Sequence, residues 1–144
     1  MLAADEPANL AHERFAHGDN FFGWLADGEV VSFGWVTRGP RWIGPVRMAQ
    51  RPDRAFLFNF YTLDSRRGQG LYPALLNAIR AALANDHIAE AIIDVNVRNA
   101  ASRKAIGKAG FSPIARTEYW SLLRRWHIPV TRVTLDAASE PFFG

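Results

Sequence analysis

Apolar positions recur with two periods along the chain, and the switches between them predict its elements. Ala8 to Ala16, with Leu10 and Phe15 apolar, reads as a short amphipathic helix. Phe21-Phe22-Gly23-Trp24-Leu25-Ala26 and Glu29-Val30-Val31-Ser32-Phe33-Gly34-Trp35-Val36 are aromatic and β-branched runs that read as strands. Asp27-Gly28 between them is a hairpin signal, because a two-residue turn needs positive φ. Gly39-Pro40 and Gly44-Pro45 punctuate Arg38 to Arg54 as a loop, with a short strand around Ile43 to Met48. Ala55 to Leu63 predicts a strand. The run from about Tyr72 to Asn85 predicts a helix, with Pro73 tolerated near its start. Glu90 to Val97 reads as a strand. Asn99 then suits the N-cap of a helix through Ala109, with Gly110 as its stop. Phe111 to Arg116 and Tyr119 to Arg125 read as two further strands, Val130 to Leu135 as another, and Asp136 to Gly144 as a tail.

The middle of the chain is therefore strand, helix, strand, helix, strand, an order that calls for a parallel pair joined by a crossover helix. The first half is an antiparallel hairpin. The expected fold is α/β (α+β), a mixed, mostly antiparallel central sheet with one parallel βαβ unit and flanking helices. At 144 residues, 49% hydrophobic and 22% charged, the chain can bury one sizeable core, and a single domain over 1–144 is expected. The absence of cysteine removes disulfides, thiolate zinc sites and a cysteine nucleophile. No apolar run is long enough to span a bilayer and no signal-peptide pattern is visible, so a cytoplasmic protein without a membrane partner is expected.

Charge changes the picture at one place. The net charge is +3, and its arginines are mostly scattered, with neighbours only at Arg66-Arg67 and Arg124-Arg125. No basic stripe with interleaved aromatics points to nucleic acid. Arg66-Arg67-Gly68-Gln69-Gly70, by contrast, sits between a predicted strand and a predicted helix. Glycines there let backbone N–H groups approach a ligand, and the helix N-terminus turns partial positive charge toward it. This is an anion site suited to a pyrophosphate. His12, His17, His87 and His127 show no metal-ligand spacing, so no metal is expected.

Two motifs carry a family resemblance. Arg67-Gly68-Gln69-Gly70-Leu71 fits a loop of Gln/Arg, two residues, Gly, one residue and Gly/Ala, except that the last position is Tyr72. Asn99, Ser102, Gly110 and Phe111 match in register a signature of Asn, Ala/Ser three residues on and Gly-Phe at eleven and twelve, with Lys108 before it. With the hairpin from Trp24 to Trp35, the chain resembles the GNAT superfamily of acyl-CoA-dependent N-acyltransferases over about Phe21 to Arg125. The resemblance implies acetyl-CoA as cosubstrate, its pyrophosphate on Arg66, Arg67, Gly68, Gln69, Gly70 and Leu71, and its pantetheine arm beside Phe60, Tyr61, Thr62 and Leu63. Tyr72, Asn99 and Ser102 complete the implied cofactor-binding set. A backbone N–H at Thr62 or a neighbour would polarise the thioester carbonyl and hold the oxyanion. The implied reaction is direct attack by a primary amine of a small molecule. The alternatives are a protein or peptide amine as acceptor, or a non-catalytic acyl-CoA-binding domain.

The sequence also departs from the family. The position where a tyrosine often assists the departing sulfur is Ile106, which can neither donate nor accept a proton. Tyr72, Tyr61 or Tyr119 could substitute, or each could serve only as a core or rim residue. Candidate bases are Asp94, Glu118, Asp64 and, through water, Asn59. Glu118 lies between the last two predicted strands, near where acceptors enter in the family, so the implied catalytic set is Tyr119, Glu118 and Tyr72. Tyr72 could cover the phosphates or fill a gap. Asn99 could bind the cofactor or cap its helix, and Ser102 could be helix surface. Trp24, Trp35, Trp42, Phe33, Phe56 and Phe58 read mostly as core, with some members open to the acceptor cleft. The family's N-terminal strand and helix are shortened here, and the exposed sheet edges allow a homodimer.

Overall fold

A computed structural model of the protein describes residues 8–44, 46–121 and 129–135, with side chains over 9–44 and 46–116. In chain order the elements are α1 (Ala8–Ala16), β1 (Asn20–Ala26), β2 (Glu29–Thr37), β3 (Trp42–Ile43), β4 (Val46–Arg47), β5 (Arg54–Thr62), α2 (Leu71–Asn85), β6 (Glu90–Ile93), α3 (Ala100–Lys108), β7 (Ala115–Ser121) and β8 (Pro129–Leu135). A single 3₁₀ turn covers Asp64–Arg66. The described residues fall into two compact units. One is drawn from Met1–Gly39 and Pro52–Phe111, the other from Pro40–Arg51 and Ser112–Gly144.

The first unit is a four-stranded sheet in the order β1-β2-β5-β6. Asp27 (φ 54°) and Gly28 (φ 79°) both adopt positive φ, the turn expected for Asp-Gly, and they close β1 onto β2. β2 pairs antiparallel with β5, and β5 pairs parallel with β6 through α2. The start of the parallel pair is tied electrostatically. The Arg54 guanidinium is fully buried, its Nε donates to Glu90 Oε2 at 2.8 Å, and its Nη2 lies 2.7 Å from the same oxygen as an ion pair.

The sheet buries both faces. On one, Val36, Ala55 and Leu57 meet Leu75, Leu76, Ile79 and Leu83 of α2 and Ile106 and Ala109 of α3. The spacing 75, 76, 79, 83 is the apolar stripe of a helix lying on a sheet. Each such aliphatic side chain contributes about 1.5–3 kcal/mol on full burial. On the other face, Ala11 of α1 meets Phe33 and Trp35, with Phe21, Val30, Phe58 and Tyr61 packed around them. Phe15 of α1 lies 5.1 Å from Trp35, ring to ring. Gly110 stops α3 in the left-handed conformation at φ 84°. A Cβ there would meet Arg80 Nη1 at 2.9 Å, and that guanidinium donates to Ala109 O at the end of α3.

In the second unit β3 and β4 form a small antiparallel pair, and β7 and β8 a longer one with Ala115 opposite Leu135 and Ser121 opposite Pro129. Three expectations need correction. The single strand expected near Ile43 to Met48 is two strands turned at Gly44 (φ 56°). β6 ends at Ile93 rather than Val97, because its partner pairing ends at Leu57. Phe111 to Ile114 is not strand. Pro113 lacks the N–H a ladder needs, and a strand over Ala115–Ser121 runs through the break expected between Arg116 and Tyr119, residues 122–125 of the second expected strand lying outside the described residues. The expected tail, Asp136 to Gly144, lies outside the described residues.

Candidate functional site

The site grows from an irregularity in β5. Phe33 faces Tyr61, yet Trp35 faces Phe58, so Asn59 and Phe60 together oppose Gly34. This is a β-bulge. Asn59 carries it at φ 52°, a conformation Asn tolerates better than most residues. The Phe60 ring lies directly over Gly34, where an added Cβ would come within 2.1 Å of it. Phe60 in turn packs on Tyr72, in the first turn of α2, with ring centroids 5.2 Å apart.

The bulge sets which backbone groups face outward. Leu63 N–H donates to Val31 O at 3.0 Å. With Ser32 opposite Thr62, antiparallel alternation turns the Thr62 N–H and C=O away from β2. They face the side where β6 pairs with β5 only from Arg54 to Leu57. Beyond Leu57 no described strand pairs with that edge. The sheet therefore opens into a gap with backbone donors and acceptors along β5. Arg67 Nε donates to Thr62 O at 3.2 Å at the mouth of this gap.

The glycine loop lies next. Gly68 and Gly70 both have φ 76°, and an added Cβ at either would meet no atom within 4 Å. Gly70 is the left-handed N-cap of α2 and its carbonyl accepts from Ala74 N at 3.1 Å. The N–H groups of the first helical turn have no intrahelical acceptor, and Pro73 has no N–H to leave over. Donors, an open outer surface and a helix dipole thus coincide, and they fit a pyrophosphate. Both arginines are held by carboxylates. Arg66 Nη2 is 3.1 Å from Asp27 Oδ2 in the hairpin turn, and Arg67 Nη2 is 2.8 Å from Asp64 Oδ1. Arg67 also lies over the Tyr61 ring at 5.9 Å. Gln69 Nε2 reaches Ser65 O at 3.5 Å.

Asn99 caps α3, accepting from Ser102 N at 3.0 Å. Because β6 runs parallel to β5, the N-termini of α2 and α3 lie at the same end of the sheet. Ser102 is half-buried in the first turn of α3. Ile106 is 8% exposed and belongs to the core against α2. Burial pushes the Tyr72 hydroxyl up to about 12. Asp64 is engaged by Arg67, and Asp94 is exposed just beyond β6. Glu118 and Tyr119 lie on β7 in the second unit, opposite Arg132 and Thr131, and their side chains lie outside the described residues.

One feature escaped the sequence reading. Arg14 of α1 reaches over the other face of the sheet, with its guanidinium 4.9 Å from the Trp35 ring and 5.2 Å from Phe58. With the Asn59 amide turned to satisfy both groups, its oxygen accepts from Arg14 Nη1 at 2.8 Å and Nη2 at 3.2 Å. Helical spacing placed Arg14 on the face of Ala11, but only the bulge brings Asn59 to it.

Solved structures share this fold. Aminoglycoside N-acetyltransferase AAC(6')-Iy in complex with CoA is 20% identical, with 73% of this chain and 82% of that chain covered at a TM-score of 0.56. The ribosomal-protein alanine N-acetyltransferase from Escherichia coli is 21% identical over 81% and 66% of the two chains, TM-score 0.60. IAA acetyltransferase from Bacillus cereus is 13% identical over 86% and 73%, TM-score 0.62. No curated protein matches the sequence. The acetyltransferase (GNAT) family model matches residues 2–111, which include the bulged strand, the glycine loop and the Asn99-capped helix, and the chain belongs to that family.

Proposed function

We propose that the protein transfers an acetyl group from acetyl-CoA to a primary amine of a small molecule. The observation that carries this reading is the opening of β5 from β6 beside a glycine loop that leads into α2. A structural neighbour, AAC(6')-Iy, is held with a bisubstrate analogue, CoA-S-monomethyl-acetylneamine, and is 21% identical at a TM-score of 0.59. When bound, the cosubstrate supplies a thioester carbon, to which the amine nitrogen bonds while the C–S electron pair leaves on sulfur and the ammonium proton passes to water or a carboxylate.

The chain's residues hold and polarise. N–H groups of Gly68, Gln69, Gly70, Leu71 and Tyr72 bind the pyrophosphate, and Arg66 or Arg67 adds charge-assisted bonds by exchanging its carboxylate for phosphate. Tyr61, Thr62 and Leu63 line the pantetheine arm, and the outward Thr62 N–H serves the developing oxyanion. Asn99 and Ser102 close the far side of the cofactor site. Tyr72, Glu118 and Tyr119 are the proposed catalytic groups, Tyr72 as a hydrogen-bond donor to the departing sulfur and Glu118 and Tyr119 as proton-handling groups.

A second reading, an acyl-CoA-binding domain without turnover, is favoured by one observation, the burial of Ile106 in the core where a proton donor often stands. Calorimetry with acetyl-CoA tests the first step. Gly70→Ala introduces only backbone strain, costing about 1 kcal/mol. Gly70→Asp adds a carboxylate at the pyrophosphate and is expected to abolish binding where Gly70→Ala retains it. Equal affinity in all three proteins would place the cofactor elsewhere. Binding without CoA release across an amine panel would establish the second reading.

A further inference from the structure

We propose that Arg67 sets the cosubstrate specificity of the β5 gap, closing it to pantetheine thioesters that carry no pyrophosphate. The inference rests on the acetyl-transfer function proposed above, and it starts from the contacts that Arg67 makes. Arg67 follows the 3₁₀ turn at Asp64–Arg66, and its backbone N–H donates to Asp64 O at 3.3 Å. Its side chain then reaches back to the end of β5. Nε donates to Thr62 O at 3.2 Å, Nη2 pairs with Asp64 Oδ1 at 2.8 Å, and the guanidinium lies over the Tyr61 ring at 5.9 Å.

The bond to Thr62 O matters because that carbonyl belongs to the open edge of β5, past the last pairing with β6 at Leu57. An extended, amide-bearing arm laid along this edge brings N–H donors to the place where the guanidinium stands. One of the two has to give way. Thr62 is fixed from behind, since its Oγ1 shares a 2.8 Å hydrogen bond with Ser32 Oγ, which also donates to Tyr61 O at 3.2 Å. Ser32 is buried, and the Tyr61 ring packs on Phe33 with centroids 5.9 Å apart. The strand is therefore the rigid partner, and the arginine is the part that moves.

What moves it is charge. The Arg67–Asp64 pair is exposed on both sides, and a surface ion pair of this kind holds weakly. A pyrophosphate on the adjoining Gly68 to Gly70 loop carries more charge than one carboxylate and matches the planar fork of the guanidinium. It draws Arg67 from Thr62 O and leaves that carbonyl to the arm. A thioester without phosphates offers the arginine nothing in exchange and has to displace it unaided. By linkage, pyrophosphate and arm each strengthen the binding of the other.

The test is calorimetry with acetyl-CoA, acetyl-pantetheine and inorganic pyrophosphate at constant ionic strength. Arg67→Met keeps the aliphatic stem and removes the charge and the donors. It is expected to weaken acetyl-CoA binding and to strengthen acetyl-pantetheine binding about three- to tenfold, the range of one hydrogen bond. The opposite signs are the readout. Weaker binding of both thioesters in R67M, as a merely structural role predicts, overturns the inference, and so does unchanged or absent acetyl-pantetheine binding. A second measurement needs no variant. In the wild type, pyrophosphate is expected to raise the affinity for acetyl-pantetheine by a similar factor, and no gain, or a loss, overturns the inference. In each of these cases, acetyl-CoA binding by the wild type leaves acetyl transfer standing. No acetyl-CoA binding by the wild type removes both readings together.

Discussion

Tyr72 holds its proton far beyond neutral pH, since burial pushes its hydroxyl up to about 12. A phenol this weak as an acid is poorly matched to proton transfer near pH 7 and better matched to donating a hydrogen bond to a departing sulfur. The same shift makes a stability statement. The folded-state value lies above the ordinary tyrosine value of about 10. Its contribution is thus complete below pH ~10 and lost as the pH rises toward about 12. Denaturant unfolding of the wild type across that window should show a falling stability, and Tyr72→Phe should flatten the fall relative to wild type. Identical alkaline slopes for the two proteins would mean that the hydroxyl is solvated in the folded state. Asn99 teaches a different lesson at this scale. Its cap on Ser102 N explains the residue without any ligand, so a role toward the cofactor must be shown as an effect on affinity beyond the cap's effect on stability.

Three elements meet through one stack, Gly34 of β2, Phe60 of β5 and Tyr72 of α2. Because the Phe60 ring occupies the space a Cβ at Gly34 would need, Gly34→Ala must displace the ring, and with it the Tyr72 contact. Overpacking of this kind costs about 1–3 kcal/mol. The expected result is a lower denaturant midpoint together with weaker acetyl-CoA binding, since the same ring packs on Tyr72 in the first turn of α2. A Gly34→Ala protein of native stability would show that the ring relocates at no cost and that the stack does not position the site. Much of this level was legible in the sequence. The Asp27-Gly28 turn, the strand before the glycine loop, the stripe of α2 and the Asn99 cap all rest on local chemistry that acts wherever the chain goes. The bulge was not legible, because Leu57-Phe58-Asn59-Phe60-Tyr61 is nearly all apolar and conceals an alternation shifted by one residue. Asn59, an uncommon residue inside a strand, was the single clue. The end of β6 at Ile93 was equally hidden, since Val95 and Val97 extend the apolar pattern past the last pairing. Arg14 could not be assigned from sequence, because its partners come from two strands distant along the chain.

At the scale of the molecule, the two faces of the sheet are built differently. The face covered by α2 and α3 carries the glycine loop and the helix N-termini, chemistry suited to an anionic cosubstrate. The face covered by α1 carries Arg14 over Trp35, with Asn59 beside it. The outward edge of β5 is shared by both. The proposed direct transfer requires both substrates to be present together, and the chain has no cysteine to carry the acyl group between them. Other nucleophiles would leave a kinetic trace in the form of ping-pong behaviour. With both substrates varied, initial rates are expected to give intersecting double-reciprocal lines, and no CoA should be released when the acceptor is omitted. Parallel lines, or a burst of thiol without acceptor, would mean that a side chain takes the acetyl group first. The outward Thr62 N–H would then serve the formation of an acyl-enzyme rather than direct attack by the amine.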